Sequence, residues 1–575
     1  MSKGGRALGA LAAVVVFWTS PAVAQQTVGL FVNTDEASEG YTLFGPGPSR
    51  NVYLINDDGL LVHQWSTSHR PGMMGYLRPN GNLVRAGIAR TGGVPGTGGL
   101  IEEFDWDGNL VWEFDADTAE FRQHHDLELL PDGNILIVVW EFKTSAEAIQ
   151  AGRDPIGVTA VWPDLIMELE PTPPNGANVV WEWHVWDHLI QDQDPTKDNF
   201  GVVSDHPELI DINFAGPSGS DWSHVNAVAY SEQFDQIVIS SRTFSEFWVI
   251  DRSTTTAEAA GHTGGNSGKG GDLLYRWGNP QTYGRGTAAD QKLFGQHDSQ
   301  WIPAGYPGAG NVLVFNNGAG RPDGAYSTVE ELVLPVDENG AYSIDAGAPF
   351  GPAAPVWSYA ADPPGEFYSS AVSGAQRQPD GTTLICEGGS GHLFEVSTDG
   401  QVVWDYVNPI ESGGPVTQGF PSGQNMVFKM RRYPPDYLAF DGRDLTPGDP
   451  LELFNSPEPV PQASLQASRL SVTGDQIEIT WDTSSCTSFD YNLLYGDLDD
   501  VATHDLLGAD CGIGIGGDHF WLAAPAGSLY FLIVGTDDTS LYESSWGSAT
   551  SGDRHGTTAS FRCNTTTKVI SASCP

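Results

Sequence analysis

Three imidazoles recur at one position of a repeated pattern, and they are the side chains here best suited to chemistry. Counting six residues back from the Pro, or its equivalent, that ends a strand leads from Pro131 to His125, from Tyr230 to His224 and from Pro303 to His297. The same count from Pro79 and Pro379 gives Met73 and Ser373. Neutral imidazole is a nucleophile and a proton acceptor, and its charged form is an acid, so several around one point can move a group together with its proton. Core packing does not require imidazoles in a shared register, which makes a common site the expectation. His224 stands in Asp221-Trp222-Ser223-His224-Val225-Asn226 and His297 in Gln296-His297-Asp298-Ser299; these polar neighbours can fix a ring tautomer, and Asn226 can touch a ligand. Val314-Phe315-Asn316-Asn317-Gly318-Ala319-Gly320-Arg321 reads as a strand entering a tight turn. Arg321 has the planar fork that suits sulfate, phosphate or carboxylate, with Asn317 beside it. Lys429, Arg431 and Arg432 are the densest basic cluster; alternation sends Arg431 and Arg432 to opposite faces, and Arg431 is read as ligand-facing.

The elements that must carry these residues are strands. Six segments alternate with period two and end in aromatic residues two apart: Leu61–Trp65, Leu110–Phe114, Val179–Trp183, Leu273–Trp277, Pro355–Tyr359 and Val402–Tyr406. Polar turns such as Asn56-Asp57-Asp58-Gly59 precede most of them, with another strand before each turn, which makes a hairpin. The final aromatics lie 47 to 94 residues apart, from the length of a four-stranded propeller blade to that of a blade with insertions. A second strand-turn-strand follows most hairpins, as in Leu130-Pro131-Asp132-Gly133-Asn134. The expected fold is all-β: a six-bladed β-propeller over residues 25–445, closed on the first blade by 419–440, then a Pro-rich linker at 446–463 and a small β-sandwich of fibronectin-like type at 464–575. In such a ring the innermost strands begin at one mouth of the axial funnel, where His125, His224 and His297 would meet.

Composition narrows the function classes. Across 575 residues, 27 Lys and Arg face 73 Asp and Glu, a formal charge of −46 that repels nucleic acid and anionic membrane surfaces. Residues 1–24 read as a secretory signal peptide: Lys3 and Arg6, an apolar run to Trp18, then Ala22-Val23-Ala24. No later run is long enough to span a bilayer. A secreted or periplasmic protein is expected, and Cys486, Cys511, Cys563 and Cys574 would form two disulfides in one of three connectivities. Cys386 reads as a buried, inert thiol. No CxxC pair and no spaced calcium loop is present, so no metal is read from the sequence.

The set formed by Trp-x-His-x-Asn at 222–226, Gln296-His297, and Phe-Asn-Asn-Gly followed by Arg321 resembles the bacterial arylsulfotransferase family, as do 373–377, 387–388, 394–396 and 408–409. The likeness covers roughly residues 40–445. It implies a propeller that moves a sulfuryl group from a phenolic sulfate donor to a phenol acceptor without a nucleotide cofactor, through a transiently sulfated histidine. His224, His297 and Arg321 match its binding and acid–base positions. The family's sulfated histidine comes from the blade after the arginine, where this chain has Ser373, and His392 lies past the strand pair. Three outcomes follow: His125 substitutes for the missing group, transfer is direct, or the propeller has become a non-catalytic anion- or glycan-binding module with an adhesive C-terminal domain.

Overall fold

Alternating apolar and polar residues put one row of side chains on each face of a strand, and a strand with both faces apolar must be covered twice. The repeated segments meet that demand by stacking as sheets around an axis. The structure, a computed structural model, describes residues 26–569 except 91–93, 159, 215–219, 419–422, 454–463, 472–474, 484–487, 538–539, 547, 550–551 and 555–556. Two compact units are present, one of them Val28–Leu453. It is a six-bladed propeller.

Blade 1 holds Tyr41–Pro46, Asn51–Ile55 and Leu61–Ser66, and its innermost strand is Val427–Tyr433 from the far end of the chain. Blade 2 runs Pro71–Leu77, Leu83–Ile88, Gly99–Phe104 and Leu110–Asp115, and blade 3 runs Phe121–Leu129, Ile135–Glu141, Asp164–Pro171 and Ala177–His184. Blade 4 is Val225–Ser231, Gln236–Ser241, Glu246–Asp251 and Tyr275–Trp277, and blade 5 is His297–Trp301, Val312–Asn316, Thr328–Leu332 and Trp357–Tyr359. Blade 6 has Gly374–Arg377, Thr383–Glu387, His392–Val396 and Val402–Val407, plus Gly29–Asn33 as a fifth, outermost strand. The ring is thus closed twice, which removes free strand edges at the seam. Innermost strands neighbour one another in chain order, and Val427–Tyr433 completes the circle against Pro71–Leu77.

The recurrent aromatic has a second task besides core filling. On the fourth strand of every blade, counted outward from the axis, an indole N–H donates to a carbonyl in the last hairpin connection of the next blade. The bonds are Trp65 to Asp105 (3.0 Å), Trp112 to Gly176 (2.7 Å), Trp183 to Gly271 (2.6 Å), Trp277 to Pro352 (2.8 Å), Trp357 to Thr398 (3.1 Å) and Trp404 to Asp57 (2.7 Å). Each contributes about 1 kcal/mol net, and together they fix the angle between neighbouring sheets.

The propeller unit runs past the expected boundary of 445. Gly448 and Asp449 exchange backbone hydrogen bonds with Leu61, and Leu453 pairs with residues at 416–418, so residues to 453 pack on the propeller rather than forming a linker. The second unit contains a three-stranded sheet (Gln466–Arg469, Ile477–Thr480, Asp518–Trp521) and a five-stranded sheet centred on Asp490–Asp497 and Leu529–Thr536. Ile479, Trp481, Tyr491, Leu493 and Trp521 fill the space between them, which makes a β-sandwich. Cys511 and Cys563 form a disulfide; Cys486 and Cys574, like the signal segment 1–24, lie outside the described residues. Cys386 is buried, and burial pushes its thiol well up, as an inert core cysteine requires.

Candidate active site

The innermost strands of five blades enter through a residue with left-handed backbone: Met73 (φ 101°), His125 (φ 53°), His224 (φ 48°), Asp298 (φ 52°) and Ser373 (φ 92°). None is glycine, so each carries a steric cost. In blades 2 to 5 the ladder shifts register at this point, a bulge that re-aims side chains. Blade 5 differs by one residue, because its left-handed position is Asp298 and His297 precedes it.

His125, His224 and His297 are brought together at this mouth. The rings of His125 and His224 lie 4.7 Å apart, and Phe428 from the returning strand sits 6.0 Å from His125 and 6.3 Å from His297. Each ring is oriented through Nδ1. Asp164 Oδ1 accepts from His124 Nε2 (2.7 Å), so the Nδ1 of a neutral His124 accepts from His125 Nδ1–H (2.7 Å). Asp164 is itself held by the Ser223 hydroxyl (2.6 Å) and the Val225 amide (2.9 Å), and His124 stacks on Trp140 at 3.9 Å. His224 Nδ1–H donates to Asp221 Oδ2 (2.6 Å), whose other oxygen accepts the Trp140 indole (2.8 Å). His297 Nδ1–H donates to Asn317 Oδ1 (2.7 Å); the amide cannot flip, because its Nδ2 is bound to the carbonyls of Ser369 and Val372 (2.8 and 2.9 Å). Among the described residues, no hydrogen bond takes up the Nε2 of His125 or His224, and the His297 ring has the Gly295 backbone as a further partner.

Electrostatics keeps two of the rings uncharged. Burial, then the charges of His224, His124, His297 and Arg242, holds His125 well below the ordinary imidazole range. Burial, with Arg242 and His224, pushes His297 down to about 3 against the favourable bond to Asn317. Burial pushes the Asp221 carboxyl up, but the hydrogen bond and charge of His224 outweigh it and hold Asp221 ionised. Gly96 packs over His125: a Cβ there would stand 2.1 Å from ring atom Cε1, and φ is +90°, so only glycine fits.

Arg242, in the turn after Gln236–Ser241, is the arginine whose charge acts on both His125 and His297, and its backbone N–H donates to the His224 carbonyl (3.0 Å). Sequence reading selected Arg321 instead. Arg321 lies over the Tyr326 ring (4.3 Å) and donates to Tyr326 and Thr328, in a separate cleft with Lys292, Phe294 and Asp323. Neither Asn226 nor Asn317 is free to meet a ligand through its amide nitrogen. Asn226 Nδ2 donates to the Gln296 carbonyl (2.8 Å) and joins blades 4 and 5; Asn317 holds His297. Ser373 is fully buried, with Oγ accepting from the Gly388 amide (3.0 Å) and donating to the Ala371 carbonyl, and among the described residues no basic side chain hydrogen-bonds to it. His392 bridges Glu387 and Asp405 on the third strand of blade 6.

Arg431 turns toward the opposite mouth. Its guanidinium pairs with Asp298 at 3.2 Å and lines a cleft of about 700 Å³ with Tyr76, Glu128, Gln300, Gln376 and Tyr433, all at the far ends of innermost strands. Between the two mouths Lys429 joins Asp126 (2.7 Å) and Asp298 (2.8 Å), and Asp126 also accepts from the Tyr76 hydroxyl (2.9 Å). His125-Asp126 and His297-Asp298 are therefore one repeated dipeptide, whose imidazole faces the first mouth and whose carboxylate faces the axial lysine. Arg432, on the other face, pairs with the buried Glu395.

Burial, then Asp126, pushes the Glu128 carboxyl up to about 7. A carboxyl raised in the fold favours the folded state most below its unfolded value, and that advantage declines as pH rises toward 7. Glu128→Gln is therefore expected to flatten the decline in melting temperature across this window and to melt higher than the parent at pH 8. Thermal melts at several pH values check it.

The description of the arylsulfotransferase (ASST) family matches residues 91–414. Arylsulfate sulfotransferase AssT of Escherichia coli O6:H1 is 29% identical over 325 residues, 51% of this chain and 50% of that protein. The protein of the same name from Lelliottia amnigena is 29% identical over 261 residues, 40% of each chain. The match spans half the length, or less, of these curated relatives. A solved protein of unknown function from Bacteroides caccae superposes with a TM-score of 0.38 and 13% identity, over 69% of this chain and 99% of that one, a likeness too slight to argue from. The propeller rests on its own sheet topology. Because the family match extends over more than half of its residues, the chain belongs to the arylsulfotransferase family.

Proposed function

We propose that this protein transfers a sulfuryl group from an aryl sulfate to a phenol, with His125 Nε2 as the nucleophile. The supporting observation is the buried Asp164–His124–His125 chain. Attack through Nε2 places positive charge on the His125 ring, and its Nδ1 proton already faces a relay that ends on a carboxylate. His297 has only a neutral amide behind it. In the first half-reaction the Nε2 lone pair forms an N–S bond, the S–O(aryl) bond breaks, and the leaving phenolate takes a proton from His224, whose charged form Asp221 supports. In the second half-reaction the acceptor hydroxyl forms the new S–O bond, the N–S bond breaks, and the hydroxyl proton returns to His224. Arg242 balances the sulfate charge, and uncharged His297 aligns the acceptor hydroxyl through Nε2. No nucleotide enters this scheme. Export follows from the leader reading of residues 1–24 and suits a disulfide-bonded protein.

Purified protein given 4-nitrophenyl sulfate and a phenol is expected to release nitrophenol and form the acceptor's sulfate ester. Arg242→Ala should lower this rate about 100-fold and Arg321→Ala less than about tenfold. The substitution at Ser373 favours a second reading, an anion-binding propeller. No release by the parent, with aryl sulfate binding that disappears in Arg242→Ala, would select it.

A further inference from the structure

We propose that blades 3 and 4 share a divalent transition-metal site of the zinc type, built from His188, His262 and Asp272. One ligand atom from each lies within 4.8 Å of the others. His188 Nδ1 stands 3.0 Å and His262 Nδ1 2.7 Å from the same oxygen, Asp272 Oδ1. His188 and Asp272 are buried, whereas the His262 side chain is 61% exposed, so an ion can enter from one side.

The orientation of His188 carries the argument. Its Nε2 faces the Ala259 carbonyl at 2.8 Å, and a carbonyl only accepts, so the ring hydrogen sits on Nε2. A neutral ring then turns the Nδ1 lone pair toward a carboxylate oxygen. Two acceptors at hydrogen-bond distance need a positive species between them, either a second ring proton or a cation. Anchoring one imidazole nitrogen on a carbonyl while the other binds metal is the usual outer-shell arrangement at such sites. The ring is also stacked parallel on Trp183, with centroids 5.6 Å apart. Gly271 passes so close that a Cβ would lie 2.6 Å from His188 Nε2.

Two imidazoles and one carboxylate suit zinc, with water as fourth ligand, better than calcium or magnesium, which take all-oxygen sets. His188 ends the turn Val185–His188 after the outermost strand of blade 3. His262 and Asp272 bracket the glycine-rich connection before the last strand of blade 4. A shared ion would pin that connection to blade 3 beside the Trp183–Gly271 bond. The ligands lie 84 and 10 residues apart, so no compact motif announces them.

The test uses the full chain after dialysis against a chelator, titrated with zinc alone against a competing chromophoric chelator. One zinc per chain and a rise in melting temperature on zinc addition are expected. His262→Ala, which changes an exposed side chain, should bind about 100-fold more weakly or worse and lose the thermal response. Asp272→Asn should weaken binding without emptying the hydrogen-bonded position. Failure of the parent to take up zinc would overturn the proposal and leave His188 paired to Asp272 through a second ring proton. Equal binding by parent and His262→Ala would overturn it too, by placing the metal elsewhere.

Discussion

His125→Ala should lower sulfuryl transfer by about 10³-fold or more while the propeller stays folded. Its removal costs one imidazole hydrogen bond and the ring's packing against His224 and Phe428, but leaves His124 with its Asp164 bond and its stack on Trp140, and every blade keeps its ladder. The chemical loss is larger, because on the proposed reading this ring takes the sulfuryl group and its Nδ1 faces the His124–Asp164 relay. Its cause can be read directly: the parent, stopped midway with donor alone and digested without acid, should carry an SO₃ adduct on the His125 peptide. An adduct on His297, or full activity in the variant, would assign the nucleophile elsewhere. The neutrality of His125 has a pH consequence. Its protonation lies well below the ordinary imidazole range, so loss of the nucleophile by protonation does not limit the rate across that range. A fall in rate within that range reports another group.

Lys429→Met should destabilise the propeller by about 3–5 kcal/mol. The ammonium is the common partner of Asp126 and Asp298, and all three side chains are almost completely buried. An apolar replacement leaves two carboxylates facing each other, with Arg431 still bound to one. Asp298 is the more sensitive. Burial pushes it up, but Arg431 and Lys429 override that and hold it at about 2. Removing the lysine raises it toward its unfolded value, so the variant, less stable at pH 7, should lose less further stability than the parent when titrated into acid. Denaturant unfolding at pH 7 measures the first effect, and the difference in unfolding free energy between pH 7 and acid measures the second. A variant as stable as the parent would mean that water reaches the axis and solvates both carboxylates.

Much of this architecture was open to a reading of the chain alone, and the reasons are local. Period-two alternation and polar turns define hairpins without tertiary information, so the six blades and the sandwich followed from pattern. The register of His125, His224 and His297 was countable because each strand ends at a marked residue. What failed to show depends on partners distant in sequence. Arg242 sits in an unremarkable Ser-Ser-Arg turn, whereas Arg321 ends a conspicuous loop; only the blade-to-blade packing brings the charge of Arg242 to bear on the imidazoles. Asn226 and Asn317 looked like ligand contacts because an amide's bonds cannot be guessed from its neighbours. Gly29–Asn33 pairs with blade 6 across nearly the whole propeller sequence, and nothing near it signals that. Alternation separates Arg431 from Arg432, and Arg431 is the one read as ligand-facing; that it lines the mouth opposite the imidazoles depends on the ring and was not legible.

The double seam sets an order of events during synthesis. Blades 2 to 5 are each built from one continuous stretch and can take shape as the nascent chain lengthens. Blade 1 waits for its innermost strand, and that strand also brings Phe428 to the imidazoles and Lys429 to the axial carboxylates. A ribosome must therefore pass residue 433 before the mouth holding His125 can exist. On the proposed reading, chains that end before this strand should lack transfer activity, and competence is acquired in a single late step.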